Sequence, residues 1–145
     1  MSPRVREPGE EGTILLLGIG LLLVCLLGLV VVVDAATVFL QRRSLVAVAD
    51  AAALAGAQAI DIDAYYRDGA MQGTRLNPIL VVEAARRQIA RLPDASAIGI
   101  EAIQTDGVTV RVRLRRALEL PFLADAFSGD VRVDSAARLD YRPAP

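Results

Sequence analysis

The chain has 145 residues, a net charge of −1 and 54% hydrophobic residues, and its mean hydropathy is +0.43. It contains no histidine, no tryptophan and a single cysteine, and all 16 of its basic residues are arginine. Zinc centres, Ser-His-Asp triads and Cys-His dyads are thereby excluded, nothing in the bulk charge points to nucleic acid, and neither an enzyme nor a cofactor is expected.

Met1 to Gly12 is polar, carries Pro3, Pro8 and Gly9, and is expected to be a flexible tail. Ile14 to Val33, ILLLGIGLLLVCLLGLVVVV, follows without one charge. About 20 apolar residues at about 1.5 Å each match a hydrocarbon layer of roughly 30 Å. A lone span in lipid has to be helical, because every backbone N–H and C=O needs an internal partner. Gly18, Gly20 and Gly28 would weaken a helix in water, whereas in a membrane small residues permit close helix approach. Gly18 and Gly28 do not form a GxxxG pair, and Cys25 is read as a small hydrophobe in mid-span. The run is longer than a usual signal-peptide core, although Val33-Asp34-Ala35 would serve as a small-residue cleavage site. Arg4 and Arg6 on one side balance Arg42 and Arg43 on the other, so charge does not set the orientation. A cytoplasmic N-terminus with the larger part outside is the expectation adopted.

No proline interrupts the chain from Val33 to Ile60, and alanine, the best helix former, dominates there. One helix from about Thr13 to about Ile60 is therefore predicted, about 70 Å long, with roughly half of it clear of the bilayer. Ala47, Ala51, Ala55 and Ala59 recur every four residues, Ala49, Ala53 and Ala57 do the same, and Ala52 pairs with Gly56. Such ridges admit a close neighbour. That neighbour is either the chain's own sheet or a helix of another subunit. Asp34, at the membrane boundary, either stays wet or pairs with an arginine of a neighbour. Asp50 either faces solvent or contacts a partner. Arg42 and Arg43 are read as membrane-boundary residues that snorkel to headgroups or pair with acids.

The order of these features, VVVDAA, then FLQRR, then ADAAALAGAQAI, resembles the N-terminal segment of the TadE/TadG-like proteins of Flp (tight-adherence) pilus assembly. The matching positions are Val33-Asp34, Arg42-Arg43 and Ala49 to Ala57, and Gly12 to Ala59 carries nearly all of the likeness. The resemblance implies a membrane-anchored, pseudopilin-like component of a bacterial secretion and pilus system. Two departures stand out. Prepilin-type processing would want a glutamate five residues into the mature chain, where Gly9 or Gly12 as the cleavage residue would place Ile14 or Leu17. A von Willebrand A-type domain, with its DxSxS metal motif, has neither motif nor room here.

Asp61 to Asn77 reads as a loop, with Tyr65 and Tyr66 as packing residues. Asp61, Asp63 and Asp68 have the wrong spacing for an EF-hand, and no metal site is expected. Asn77 as N-cap and Pro78 at the first helical position open a second helix, with Leu80, Ala84, Ile89 and Leu92 on one face and Arg86, Arg87 and Arg91 elsewhere. Pro93-Asp94 ends it. Ile98 to Ile103 is a strand, Thr105-Asp106-Gly107 a turn, and Val108 to Arg115 a strand with Val108, Val110, Val112 and Leu114 inward. Val131 to Tyr141 alternates likewise. Phe122, Leu123 and Phe127 in the intervening segment are expected to plug the core, and the arginine rows to pair with Asp134 and Asp140.

The fold class expected is α+β: a long transmembrane helix extending out of the membrane, a second helix, and a small antiparallel sheet of about three strands, pilin-like in plan. The organisation is a tail over 1–12, the anchor helix and its alanine-rich extension over 13–60, and a small extracytoplasmic domain over 61–145. The function expected is a minor pilin-like subunit of a Flp pilus or secretion assembly in the bacterial cytoplasmic membrane. It would act by helix packing through Asp34, Ala47, Asp50, Ala51, Ala55, Gly56 and Ala59. Its partners would be the lipid bilayer and other pilus or secretion-system subunits, with a homo-oligomer as one form. The alternative is a membrane-tethered extracytoplasmic binding or regulatory module unrelated to pili.

Overall fold

The computed structural model describes residues 10–60, 62, 66, 75–125 and 127–139. One helix, α1, runs unbroken over Glu10–Ala57. It begins inside the segment expected to be a tail, since nothing after Glu10 breaks a helix, and it stops three residues short of Ile60. A second helix, α2, spans Pro78–Ala90. Three strands follow a short 3-10 turn: β1 over Ile98–Thr105, β2 over Thr109–Ala117 and β3 over Asp130–Arg138. They form one antiparallel sheet in the order β1-β2-β3. This is the α+β architecture the periodicities predict.

The sheet and α2 both lie along the outer half of α1. Gly56 faces Val110 at the start of β2 and Val81 at the start of α2, so both elements set out from the distal end of α1. Seven residues later in β2, Ala117 has travelled about 23 Å, close to the length of α1 from Gly56 back to Gln41. The core between these layers is Leu45, Ala49, Ala52, Ala53 and Ala57 of α1 against Val81, Ala85 and Ile89 of α2, and Val110, Val112, Leu114 and Val133 of the sheet. Helix α1 thus contributes mainly alanine to its own core, which lets β2 and α2 approach closely.

Asn77 caps α2 as its sequence predicts: its Oδ1 accepts from the Ile79 N–H at 3.0 Å and the Leu80 N–H at 3.4 Å. The buried stripe of α2 includes Ile89 and has Leu92 packed against it, as expected, but carries Val81 and Ala85 in place of Leu80 and Ala84. Val81, Ala85 and Ile89, at strict i, i+4 spacing, face the core, while Leu80 is exposed and Ala84 and Leu92 are half-buried. Ala85 at the centre of that stripe suits an alanine-lined partner better than Leu80 would.

β1 carries a bulge. Its register against β2 shifts between Ile100 and Ala102, leaving Glu101 out of the pairing. Ile98, Ile100 and Ile103 are spaced by two and then three, and the extra residue returns Ile103 to the face of Val112. Glu101 meets Arg132 across the outer face at 3.1 Å. Val108 belongs to the turn instead of the strand and is 38% exposed. In that turn Gly107 adopts φ +91°, and Asp106 Oδ1 accepts from the Val108 N–H at 2.9 Å and the Thr109 N–H at 2.6 Å. These backbone donors, Thr109 foremost, hold the Asp106 carboxyl below its ordinary range.

Arg113 pairs with Asp134 directly across the strands at 2.9 Å, as expected. Asp140 and the chain after it lie outside the described residues, as do Asp61, Asp63, Asp68 and Tyr65. Within the segment expected to be a loop, Ile62 and Tyr66 are helical, and Tyr66 is highly exposed instead of packed.

Candidate membrane and assembly face

Among the described residues, nothing surrounds the inner half of α1. From Gly12 to Val33 every side chain is exposed except Val30, which is half-buried, and Cys25 is exposed with the rest. A Cβ added at Gly18, Gly20 or Gly28 would meet no atom within 4 Å. This is the one helix among the described residues long and apolar enough to cross a membrane. An all-round apolar surface without a covering layer is what lipid, in place of water, would stabilise.

At the end of the run the picture changes. Asp34 is 4% exposed, and the group that buries it comes from the other end of the chain. Its Oδ1 accepts from the Phe122 N–H at 3.3 Å and its Oδ2 from the Leu123 N–H at 3.1 Å. Two helical turns further on, Gln41 reads the same connection: its Nε2 donates to the Glu119 carbonyl, and its Oε1 accepts from the Glu119 N–H at 3.3 Å. Spaced by seven residues, Asp34 and Gln41 share one face of α1 and fasten the β2–β3 connection alongside it. A buried carboxylate that finds two backbone donors is stabilised where an unpaired one would be heavily penalised. Asp34 therefore does not stay wet: within the described chain both of its carboxylate oxygens are taken by backbone donors. The connection is not a core plug either. Phe122 is 62% and Phe127 63% exposed, with only Leu123 of the three half-buried.

The expected packing residues divide by face. Gly56 is consumed inside the chain, where an added Cβ would stand 3.1 Å from Val110 Cγ1 and 3.2 Å from Val81 Cγ1. Ala51, Ala55 and Ala59 are half-buried at the margins of the core, and Ala47 is exposed. Ala47 and Ala51 line a shallow groove of about 250 Å³ with Ser44, Val48, Gln88 and Leu92. Asp50 is largely exposed, but its Oδ1 accepts the Ser135 hydroxyl of β3. Ser135 breaks the apolar alternation of Val131, Val133 and Ala137, and that break signals a polar group opposite. Arg42 and Arg43 are exposed. Away from the core, Phe39, Arg43, Val46, Ala47 and Leu54 form a stripe at i, i+3 and i+4 spacing that no described residue covers, with Phe39 and Leu54 well exposed and Asp50 at its margin toward β3.

Gln41 went unmarked in the sequence as a functional position. Its one legible signal is its two-turn spacing from Asp34 in an otherwise apolar or alanine-rich helix. Among the described residues no three histidine, cysteine, aspartate or glutamate side chains gather as a metal site would require.

No curated protein and no solved structure matches the chain. One family model does, over residues 12–59, which is nearly all of α1 and the two residues beyond it, including Asp34, Gln41, the arginine pair and the alanine ridges. Over this segment the chain matches the Tad family, described as "Putative Flp pilus-assembly TadE/G-like".

Proposed function

We infer that this protein is a membrane-anchored, minor-pilin-like component of a Flp (Tad-type) pilus or secretion assembly. It sits as a single-pass protein in the bacterial cytoplasmic membrane, with its N-terminus inside and its sheet outside. It works by packing, not by catalysis. The observation that carries the reading is the uncovered stripe of α1. It continues past the lipid-length run through Phe39, Val46, Ala47 and Leu54, on the very segment that matches the pilus-assembly family. Exposed apolar side chains on a helix already committed to a sheet on its other side are a surface for a further helix.

The test is pilus production in cells carrying Ala47→Leu. Ala47 is exposed, so the added bulk leaves the fold intact while filling the close-approach site. Loss of pili with normal levels of membrane-bound protein supports the reading. Ala51→Leu should act in the same direction. Unchanged pili in both variants would favour a tethered module with no part in assembly.

A further inference from the structure

The β2–β3 connection is docked where the apolar run of α1 ends. Asp34, the residue that follows the run, holds the backbone of Phe122 and Leu123 through both carboxylate oxygens. Val30, one turn inside the run, is the only side chain from Gly12 to Val33 that is not exposed. Thr37 and Val38, on the sheet side of Asp34, are half-buried as well. The connection therefore reaches the depth at which hydrocarbon gives way to headgroups. It arrives there with Pro121, Phe122 and Leu123 in sequence, and Phe122 is turned outward, 62% exposed.

A soluble interior has no use for such a phenyl, and β2 and β3 already have their core. A phenyl ring at the height of the last residues of a span lies at the headgroup–acyl boundary, where interfacial segments bury Phe and Leu side chains. The fastening has the right chemistry for that depth too. With their hydrogens given to a carboxylate, the backbone N–H groups of Phe122 and Leu123 do not need water. Gln41 does the same for both backbone polar groups of Glu119, about 10 Å further out along the helix.

We propose that the Pro121–Leu123 tip is a second membrane contact. Its phenyl enters the acyl–headgroup boundary beside α1, and Asp34 and Gln41 act as the posts that hold it at that depth. The sheet is thereby fixed in height and rotation above the bilayer instead of swinging on a single helix. This inference rests on the membrane anchoring proposed above, and the occupant is the lipid bilayer, not a protein groove.

The chain has no tryptophan, so single substitutions give clean fluorescent probes. Three full-length variants, Leu23→Trp, Phe122→Trp and Val108→Trp, are reconstituted separately in phosphatidylcholine–phosphatidylglycerol vesicles. The vesicles contain lipids brominated either near the glycerol end or near the methyl end of the acyl chain. All three positions are exposed in the fold, so the probes do not disturb the core. The expected result is a blue-shifted Phe122 probe that loses more intensity to the shallow bromines than to the deep ones. The Leu23 probe should be quenched most by the deep bromines, and the Val108 probe, at the far end of the sheet, by neither. A quenched Leu23 probe beside an unshifted, unquenched Phe122 probe overturns the inference, leaves the anchor standing and points to a protein as the cover for Phe122. An unquenched Leu23 probe removes the anchor, and the inference with it.

Discussion

Replacing Asp34 with alanine removes both acceptors that hold the β2–β3 connection to α1. Hydrogen bonds to a charged group contribute about 1.5–3 kcal/mol each. One of the two here is long at 3.3 Å, the other 3.1 Å, so the low end applies and the pair contributes about 3 kcal/mol to the docked state. The helix itself adds nothing to this loss, because alanine is the better helix former. The connection is thinly buried, with Phe122 and Phe127 exposed, so it peels away before the sheet is disturbed. Three kcal/mol is roughly a hundredfold in an opening equilibrium. Amide hydrogen exchange on the full chain in nanodiscs should therefore show the Phe122 and Leu123 amides exchanging roughly a hundredfold faster in Asp34→Ala. The amides of Val112 and Leu114 in the central strand should not change. The Glu119 amide should keep most of its protection, because Gln41 still accepts from it, and Asp34→Asn, with one acceptor left, should fall between. Unchanged exchange at Phe122 and Leu123, or equal acceleration across the sheet, would refute the idea that this carboxylate is a local fastening.

Gly56→Leu should lower unfolding stability in micelles by about 3 kcal/mol, because Val81 and Val110 are fully buried around that position and cannot give way. Gly56→Ala should stay within about 1 kcal/mol, since its gain in helix propensity offsets a squeeze of a few tenths of an ångström. Gly107→Val places a β-branched side chain at φ +91° and should cost about 2 kcal/mol in a denaturant titration. Asp106 sits below its ordinary value, so its stabilisation of the β1–β2 turn is complete above the unfolded carboxylate range and is lost as pH falls through the lower, folded value. The Val108 and Thr109 amide shifts followed by NMR should move together on acidification below about pH 4, and Asp106→Ala should abolish that transition.

How much of this was readable in the residues depends on the range over which each feature is determined. The apolar run, the unbroken continuation through alanine, the Asn77-Pro78 start of α2 and the alternation of β2 are local patterns, and the fold follows each of them. The β1 bulge was hidden because Ile100 and Ile103 violate period two, and one unpaired residue restores it. In α2 the sequence places Ile89 inward but takes Leu80 and Ala84 in place of Val81 and Ala85, because the narrow alanine surface of α1, which selects the small Ala85, is not visible in the helix's own pattern. The largest miss concerns the connection after β2. LPFLADAF looks like core by composition, yet its place is decided by Asp34, almost ninety positions earlier, and no periodicity encodes a pairing at that range. The alanine ridges presented the converse difficulty: small residues every four positions serve an internal sheet and an external helix equally well. The structure gives Ala49, Ala53, Ala57, Ala52 and Gly56 to the core and leaves Ala47 outside.

Leu54, 57% exposed on the side of α1 away from the sheet, offers the most direct probe of a helix built to be packed against. With a photo-reactive amino acid in place of Leu54, irradiation of intact piliating cells should cross-link the protein to other subunits of the pilus assembly, and Ala47→Leu should abolish those adducts. A probe at Arg132, on the opposite face of the sheet, should give none of them. If the Leu54 probe yields no protein adduct in cells that assemble pili normally, the packing account of this protein is wrong.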